Sequence, residues 1–235
     1  SKAIEYLHEF GLTTYTEEDD ASMSLAIGGS AHSSSTLQMA AAYAALANKG
    51  VYIEPTFYTK LTDSDGRTIV EPKQETRRVI SEANAFIVSD ILTDVVTGYS
   101  GTASTCAISG MDVACKTGTS DASKNVWLCG YTPYYAGATW YGFDQEEHTL
   151  NQIWAARSIW GNIMKNVHKG LAKKRFTKPD GVVTATVCKE SGKLATKQCT
   201  KKYTEYFAKG NVPKACDGHE TIKICKESGK IATEY

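Results

Sequence analysis

Apolar residues recur at helical spacing in several stretches of this chain, each closed by glycine or a polar run. Ile4, Leu7 and Phe10 share one helix face, and Gly11 follows as the residue that stops it. Leu37, Ala40, Ala41, Ala44 and Ala47 make a second, alanine-rich face. A capping box starts it, with Ser35 accepting from the N3 amide and Gln38 reaching back, and Gly50 closes it. Such small side chains predict close helix packing, with Tyr43 in the core. Ser81 caps a third helix that carries Phe86, Ile87, Ile91, Leu92 and Val95 and ends at Gly98. Trp154, Ile159, Trp160, Ile163, Met164 and Val167 trace a fourth, running to about Lys169.

Between these helices the pattern shifts to strand spacing. Residues 57–61 and 67–70 flank Asp63-Ser64-Asp65-Gly66 and predict a β-hairpin. Asp-x-Asp-Gly also opens calcium loops, but the later ligands of an EF-hand are absent, so the turn reading stands. A polar stretch, 13–20, leads to a loop around Gly28 and Gly29. Three strands are predicted at 113–119, 125–131 and 135–143, the first with antiparallel neighbours and approached through Gly101-Thr102-Ala103 and Ser109-Gly110. Helix, strands and helix again make an α+β domain whose antiparallel sheet is packed with helices.

Beyond Pro179 the character changes. Val187-Cys188-Lys189-Glu190-Ser191-Gly192-Lys193-Leu194-Ala195-Thr196 returns almost unchanged as Ile224-Cys225-Lys226-Glu227-Ser228-Gly229-Lys230-Ile231-Ala232-Thr233, each copy a short strand and a Ser-Gly turn. Two copies are too few for a solenoid. The expected organisation is a body over residues 1–170 and a small β-rich extension over 171–235. Charge divides the same way: the net charge is zero, but residues 171–235 hold 14 Lys+Arg against 7 Asp+Glu, leaving 12 against 19 in the body. A basic tail could meet nucleic acid, anionic lipid or an anionic polymer, but its lysines are spread among turn residues without aromatic interleaving, which favours a solvated surface, and no nucleic acid is expected as a partner.

No apolar run approaches the ~18 residues of a membrane span. With no initiator Met and no signal pattern, and with a C-terminus inside the repeat, the chain reads as a fragment of something longer. Cys106, Cys115 and Cys129 sit among small apolar residues as buried thiols, and no His or Asn is matched to Cys115 as a nucleophile. Cys188, Cys199, Cys216 and Cys225 fall in the tail without a Cys-x-x-Cys pair. Disulfides in an oxidising compartment are therefore expected, with three possible connectivities. Cys216-Asp217-Gly218-His219 is a partial zinc pattern only, and neither a metal nor another cofactor is expected.

The chemistry-bearing stretch is Lys116-Thr117-Gly118-Thr119, a cation, two hydroxyls and a glycine on a strand. Taken with Gly28-Gly29, Thr36-Leu37-Gln38-Met39-Ala40, Ala47-Asn48-Lys49-Gly50, Asp65-Gly66, Gly101-Thr102-Ala103 and Trp127-Leu128-Cys129-Gly130-Tyr131-Thr132-Pro133, it makes an ordered set. Over residues 25–165 this set resembles the C-terminal half of the transpeptidase domain of class A penicillin-binding proteins, the bifunctional peptidoglycan synthases. The Val-Cys-x-x-Ser-Gly tail looks like extensions of Gram-positive members.

The resemblance implies a penicillin-binding-protein/serine β-lactamase-like fold and a site of three motifs: a Ser-x-x-Lys whose serine is acylated, a Ser-x-Asn and the Lys-Thr-Gly strand. Only the last is present. No lysine has a serine three positions before it, and Ser123-Lys124-Asn125 follows the lysine strand where the family's Ser-x-Asn precedes it. The nucleophile is thus implied to lie upstream, and this chain alone should not turn over. Lys116, Thr117, Gly118 and Thr119 would bind the carboxylate of a stem peptide ending in D-Ala-D-Ala, or a β-lactam, with the Thr119 N–H in the oxyanion hole. The implied location is the outer face of the bacterial cytoplasmic membrane, anchored by a segment outside this chain. The alternatives are a penicillin- or cell-wall-sensing receptor domain of the same fold, and a D,D-carboxypeptidase or β-lactamase.

Overall fold

A computed structural model describes residues 1–21, 23–145, 148–219, 224–226 and 228–231. The chain forms two compact units, Ser1–Lys178 and Pro179–Tyr235. The break falls later than residue 170 because the connecting segment belongs to the first unit. Arg175 donates to Asp112 at 2.8 Å, Asp112 also accepts the Phe176 N–H, and Phe176 packs on Tyr131 with ring centroids 5.5 Å apart.

The first unit begins with α1 (Lys2–Glu9) and the short α2 (Glu17–Asp20). Gly11 ends the first turn region at φ +82°, where a Cβ would run into the Tyr52 ring. Asp19, at the end of a capping box, is buried. Its carboxylate accepts N–H bonds from Thr16, Ala31 and His32 at 2.8, 2.8 and 3.0 Å and meets His32 Nδ1 at 2.9 Å, which ties down the loop after Gly29. These bonds, the Thr16 amide foremost, hold the Asp19 carboxyl well below the usual carboxylate range. A depressed folded-state value stabilises the fold above the unfolded value, near pH 4, and the gain fades as pH falls through the folded value. Denaturant melts should therefore show Asp19→Asn less stable than the parent chain at neutral pH, with the gap narrowing below about pH 4.

Next come α3 (Thr36–Ala47), with the Ser35/Gln38 capping box in place, and four short strands: β1 (Val51–Ile53), β2 (Leu61–Thr62), β3 (Thr68–Val70) and β4 (Thr76–Arg78). The expected hairpin is present as β2–β3, but its first arm pairs only from Leu61, and Phe57 and Tyr58 before it are exposed. The β1–β4 pair forms a separate two-stranded sheet and was not legible in the sequence. Then follow α4 (Glu82–Thr97), capped by Ser81, the strands β5 (Ala114–Thr119), β6 (Asn125–Tyr131) and β7 (Ala136–Gly142), and α5 (Ala155–Val167).

β5, β6 and β7 form an antiparallel sheet in that order, so β5 is an edge strand. One sheet face packs on α5. Trp160 lies under Gly130 and Gly137, its indole N–H donating to the Gly137 carbonyl at 3.0 Å, and Val96, Cys115, Val126, Leu128, Ala156 and Met164 complete this core. On the other face Tyr131 meets Tyr43 of α3 edge-on at 6.3 Å and pairs with the Ser89 hydroxyl of α4 at 2.7 Å. Burial pushes the Tyr43 phenol up.

Three helices bury a face rotated from the expected one. α3 buries Ala41, Ala42 and Ala45, α4 buries Ala85, Ser89 and Val96, and α5 buries Ala156, Trp160 and Met164. Each carries apolar residues on more than one side, so periodicity alone cannot choose which side meets the sheet. On α5 the other apolar side, Ile159, Ile163 and Val167, stays 42%, 53% and 47% exposed.

In the second unit β8 (Val182–Cys188) pairs antiparallel with β9 (Lys202–Ala208). The repeated turn is built twice. Gly192 N–H bonds the Cys188 carbonyl and Cys188 N–H the Lys193 carbonyl, at 2.9 and 2.8 Å, and Gly229, Cys225 and Lys230 repeat the pattern at the same distances. Glu227, Ala232 and Thr233 of the second copy lie outside the described residues. The expected disulfides do not form among the described residues. Cys188, Cys199 and Cys216 converge on one point with His219, and three thiols in one shell cannot all pair two by two.

Candidate functional site

β5 presents the lysine stretch at the sheet edge. The Ser120 N–H donates to the Asn125 carbonyl at 2.9 Å, which makes those two a hydrogen-bonded pair. Antiparallel alternation then turns the backbone groups of Gly118 and Lys116 toward β6 and those of Thr117 and Thr119 away from it. The Lys116 ammonium confirms the outward direction by donating to the Thr117 carbonyl at 2.9 Å. The free edge thus offers the N–H and C=O of Thr117 and Thr119, with an exposed cation folded over them. No carboxylate pairs with Lys116 among the described residues.

The side chains divide between the two faces. Thr117 and Thr119 lie on the same face as buried Cys115, while Lys116 and Gly118 lie on the opposite one. The four residues therefore surround the edge from both sides and do not form one flat wall. A Cβ added at Gly118 would sit 3.3 Å from the Trp127 Cβ, a tight approach that Trp127 would have to relieve by a few tenths of an ångström.

Sequence reasoning missed two positioning residues. The Thr102 hydroxyl pairs with the Thr117 hydroxyl at 2.9 Å, and the Arg157 guanidinium of α5 donates to the Thr102 carbonyl at 2.8 Å. The sequence presents Thr102 only within Gly101-Thr102-Ala103, the approach to the strand, with no sign of its partner. Its bond joins residues far apart in the chain, and no local spacing announces it.

Two other candidates take structural roles. Ser123-Lys124-Asn125 closes the β5–β6 turn, where Ser123 has a positive φ of 52° and the Asn125 amide oxygen accepts from the Trp140 indole at 2.9 Å. Cys115 is buried, which pushes its thiol up to about 12 and leaves it inert as a nucleophile; Cys129 is pushed up to about 12 for the same reason. A pocket of about 130 Å³ is lined by Leu46, Glu82, Phe86, Ser89 and Phe176 among others, and includes no residue of β5.

The family model for the penicillin-binding protein transpeptidase domain matches residues 5–165. The chain belongs to this family. A second model, for the C-terminal domain of penicillin-binding protein 1A, matches residues 178–221. Penicillin-binding protein 1A of Clostridium botulinum is 38% identical over 223 residues, covering 92% of this chain and 27% of that protein. Penicillin-binding protein 2D of Bacillus subtilis is 30% identical over 229 residues, covering 94% of this chain and 32% of that protein. The chain thus spans about a quarter to a third of the length of these relatives. Among solved structures, penicillin-binding protein 1A of Haemophilus influenzae superposes with a TM-score of 0.76 at 24% identity, over 89% of this chain and 36% of that one. Penicillin-binding protein PonA1 of Mycobacterium tuberculosis gives 0.54 at 27% identity, over 61% and 41%. The fold is that of penicillin-binding-protein transpeptidase domains, with mixed helices and an antiparallel sheet, and the class A, Gram-positive-type likeness read from the sequence holds.

Proposed function

We propose that this chain supplies the Lys-Thr-Gly-Thr side of a D,D-transpeptidase site, whose serine comes from an upstream part of the same protein. The whole enzyme would cross-link peptidoglycan stem peptides through a serine acyl-enzyme and would be acylated by β-lactams. The observation that carries this reading is the edge of β5, with outward backbone groups at Thr117 and Thr119 beside an ammonium that meets no carboxylate among the described residues.

The chemistry follows from that edge. A stem peptide ending in D-Ala-D-Ala is extended and carries a terminal carboxylate, so it can add to the edge as a further strand and bond the Thr117 and Thr119 backbone. Its arrival displaces the Lys116 ammonium from the Thr117 carbonyl and frees that cation to face the carboxylate. The threonine hydroxyls add hydrogen bonds to the charged group. When the serine oxygen attacks the penultimate carbonyl, the developing oxyanion lies against the outward N–H of Thr119 and the serine's own N–H. A donor of this kind is worth roughly 3 to 4 kcal/mol in the transition state. The C–N bond then breaks, D-Ala leaves, and the acyl group passes to an amine acceptor.

The exposed apolar row Ile159, Ile163 and Val167 on α5 supports the same reading, as a surface for further chain of the parent protein. No helix of the described residues is long and apolar enough to cross a membrane. The parent would act at the outer face of the cytoplasmic membrane through an anchor elsewhere in its length.

Labelling with a fluorescent penicillin tests the proposal. The full-length parent should form an adduct that survives denaturation, and this chain alone should form none. A parent that stays unlabelled, or a label carried by this chain by itself, overturns it.

A further inference from the structure

Inside the second unit, the Sγ atoms of Cys188, Cys199 and Cys216 and one ring nitrogen of His219 all lie within 4.8 Å of one another. We propose that these four residues bind one structural Zn²⁺ ion that holds residues 179–219 together. A tetrahedral zinc with bonds of about 2.3 Å to sulfur sets its ligands roughly 3.8 Å apart. The observed cluster needs only a small contraction to close on the ion, and His219 Nε2 already stands 3.1 Å from Cys188 Sγ. Three thiolates and one imidazole are a donor set that favours zinc over the oxygen-seeking cations.

The surroundings are those of a thiolate site. The Thr196 N–H donates to Cys199 Sγ at 3.3 Å and the Ser191 hydroxyl to Cys216 Sγ at 3.1 Å, bonds that orient a metal-bound sulfur and spread its charge. The Glu190 carboxylate lies 3.5 Å from His219 Nε2. With zinc bound and the thiols deprotonated, the three sulfurs, the imidazole and the ion together carry one net negative charge.

Packing supplies an independent argument. The buried cluster of this unit consists of Cys188, Cys199 and Cys216 themselves, with Ala195 packed against them. Among the described residues this small unit has one two-stranded sheet and, besides the cysteines, Val182 and Val187 as its buried apolar side chains, a core of a size that calls for a covalent or metal staple. A single disulfide can join only two of the three converged thiols and uses no imidazole. A metal uses all four.

The test uses the whole chain, purified under reducing conditions. Elemental analysis after zinc addition and dialysis should find close to one Zn²⁺ per chain. Substituting cobalt should give the intense visible bands of tetrahedral thiolate coordination. Cys199→Ser and His219→Ala should each lose the metal on dialysis. All four tryptophans, Trp127, Trp140, Trp154 and Trp160, belong to the first unit, so unchanged tryptophan fluorescence in these variants shows that the loss is local. Less than one zinc per ten chains in the parent overturns the proposal. So does full retention of zinc in both variants. Native mass spectra of the unreduced chain that show the tail cysteines oxidised in pairs, with no metal, overturn it in favour of a disulfide staple. The outcome is independent of penicillin labelling, which reads the first unit's site.

Discussion

Replacing Lys116 with Ala in the full-length parent lowers the rate of penicillin acylation by about 10² to 10³-fold, the range seen when one stabilising group is taken from an acyl-transfer site. The expected change in stability is small. Lys116 is exposed, pairs with no carboxylate among the described residues, and spends its one hydrogen bond on a neighbouring carbonyl that water can satisfy. A surface substitution of that kind shifts stability by no more than about 0.5 kcal/mol. Stopped-flow acylation and a thermal melt on the same preparations separate the two effects. An unchanged rate would make Lys116 an incidental surface lysine, and a large loss of stability would make it structural.

The largest expected loss of stability in the first unit comes from Trp160→Ala. The indole is 2% exposed and fills the space between α5 and the sheet at the two positions, Gly130 and Gly137, where no side chain competes for it. Removing it leaves a cavity against Cys115 and takes away the 3.0 Å indole bond to the Gly137 carbonyl, which keeps its ladder partner Gly130 on β6. Large aromatic truncations in cores cost about 3 to 5 kcal/mol. Urea melts followed by circular dichroism should show the first unit largely unfolded at 37 °C. A loss under about 1 kcal/mol would mean that α5 does not anchor the sheet.

Helix existence was legible wherever caps and spacing agreed. Ser35 with Gln38 and Ser81 mark helix starts through side-chain bonds that reach only three residues, so sequence neighbours carry the whole signal. The face each helix buries was not legible. α5 shows Ile159, Ile163 and Val167 on one side and Trp160 and Met164 on another, and both are apolar enough to pack. The β1–β4 pair escaped notice because three-residue strands flanked by prolines give too short a pattern, and their pairing joins positions more than twenty residues apart.

The sequence by itself determined the strand that carries Lys116, Thr117, Gly118 and Thr119, the turn that follows it and the absence of an acylable Ser-x-x-Lys. These depend on residue types at short spacing. Only the tertiary structure decided that the strand sits at the sheet edge, that Thr117 and Thr119 turn their backbone outward, and that Thr102 and Arg157 brace it. Only the tertiary structure, likewise, brought Cys188, Cys199, Cys216 and His219 to one point where paired cysteines were expected. Pairing order and convergence depend on which distant segments meet. That is settled by burial and hydrogen bonding across the fold, and spacing along the chain does not record it.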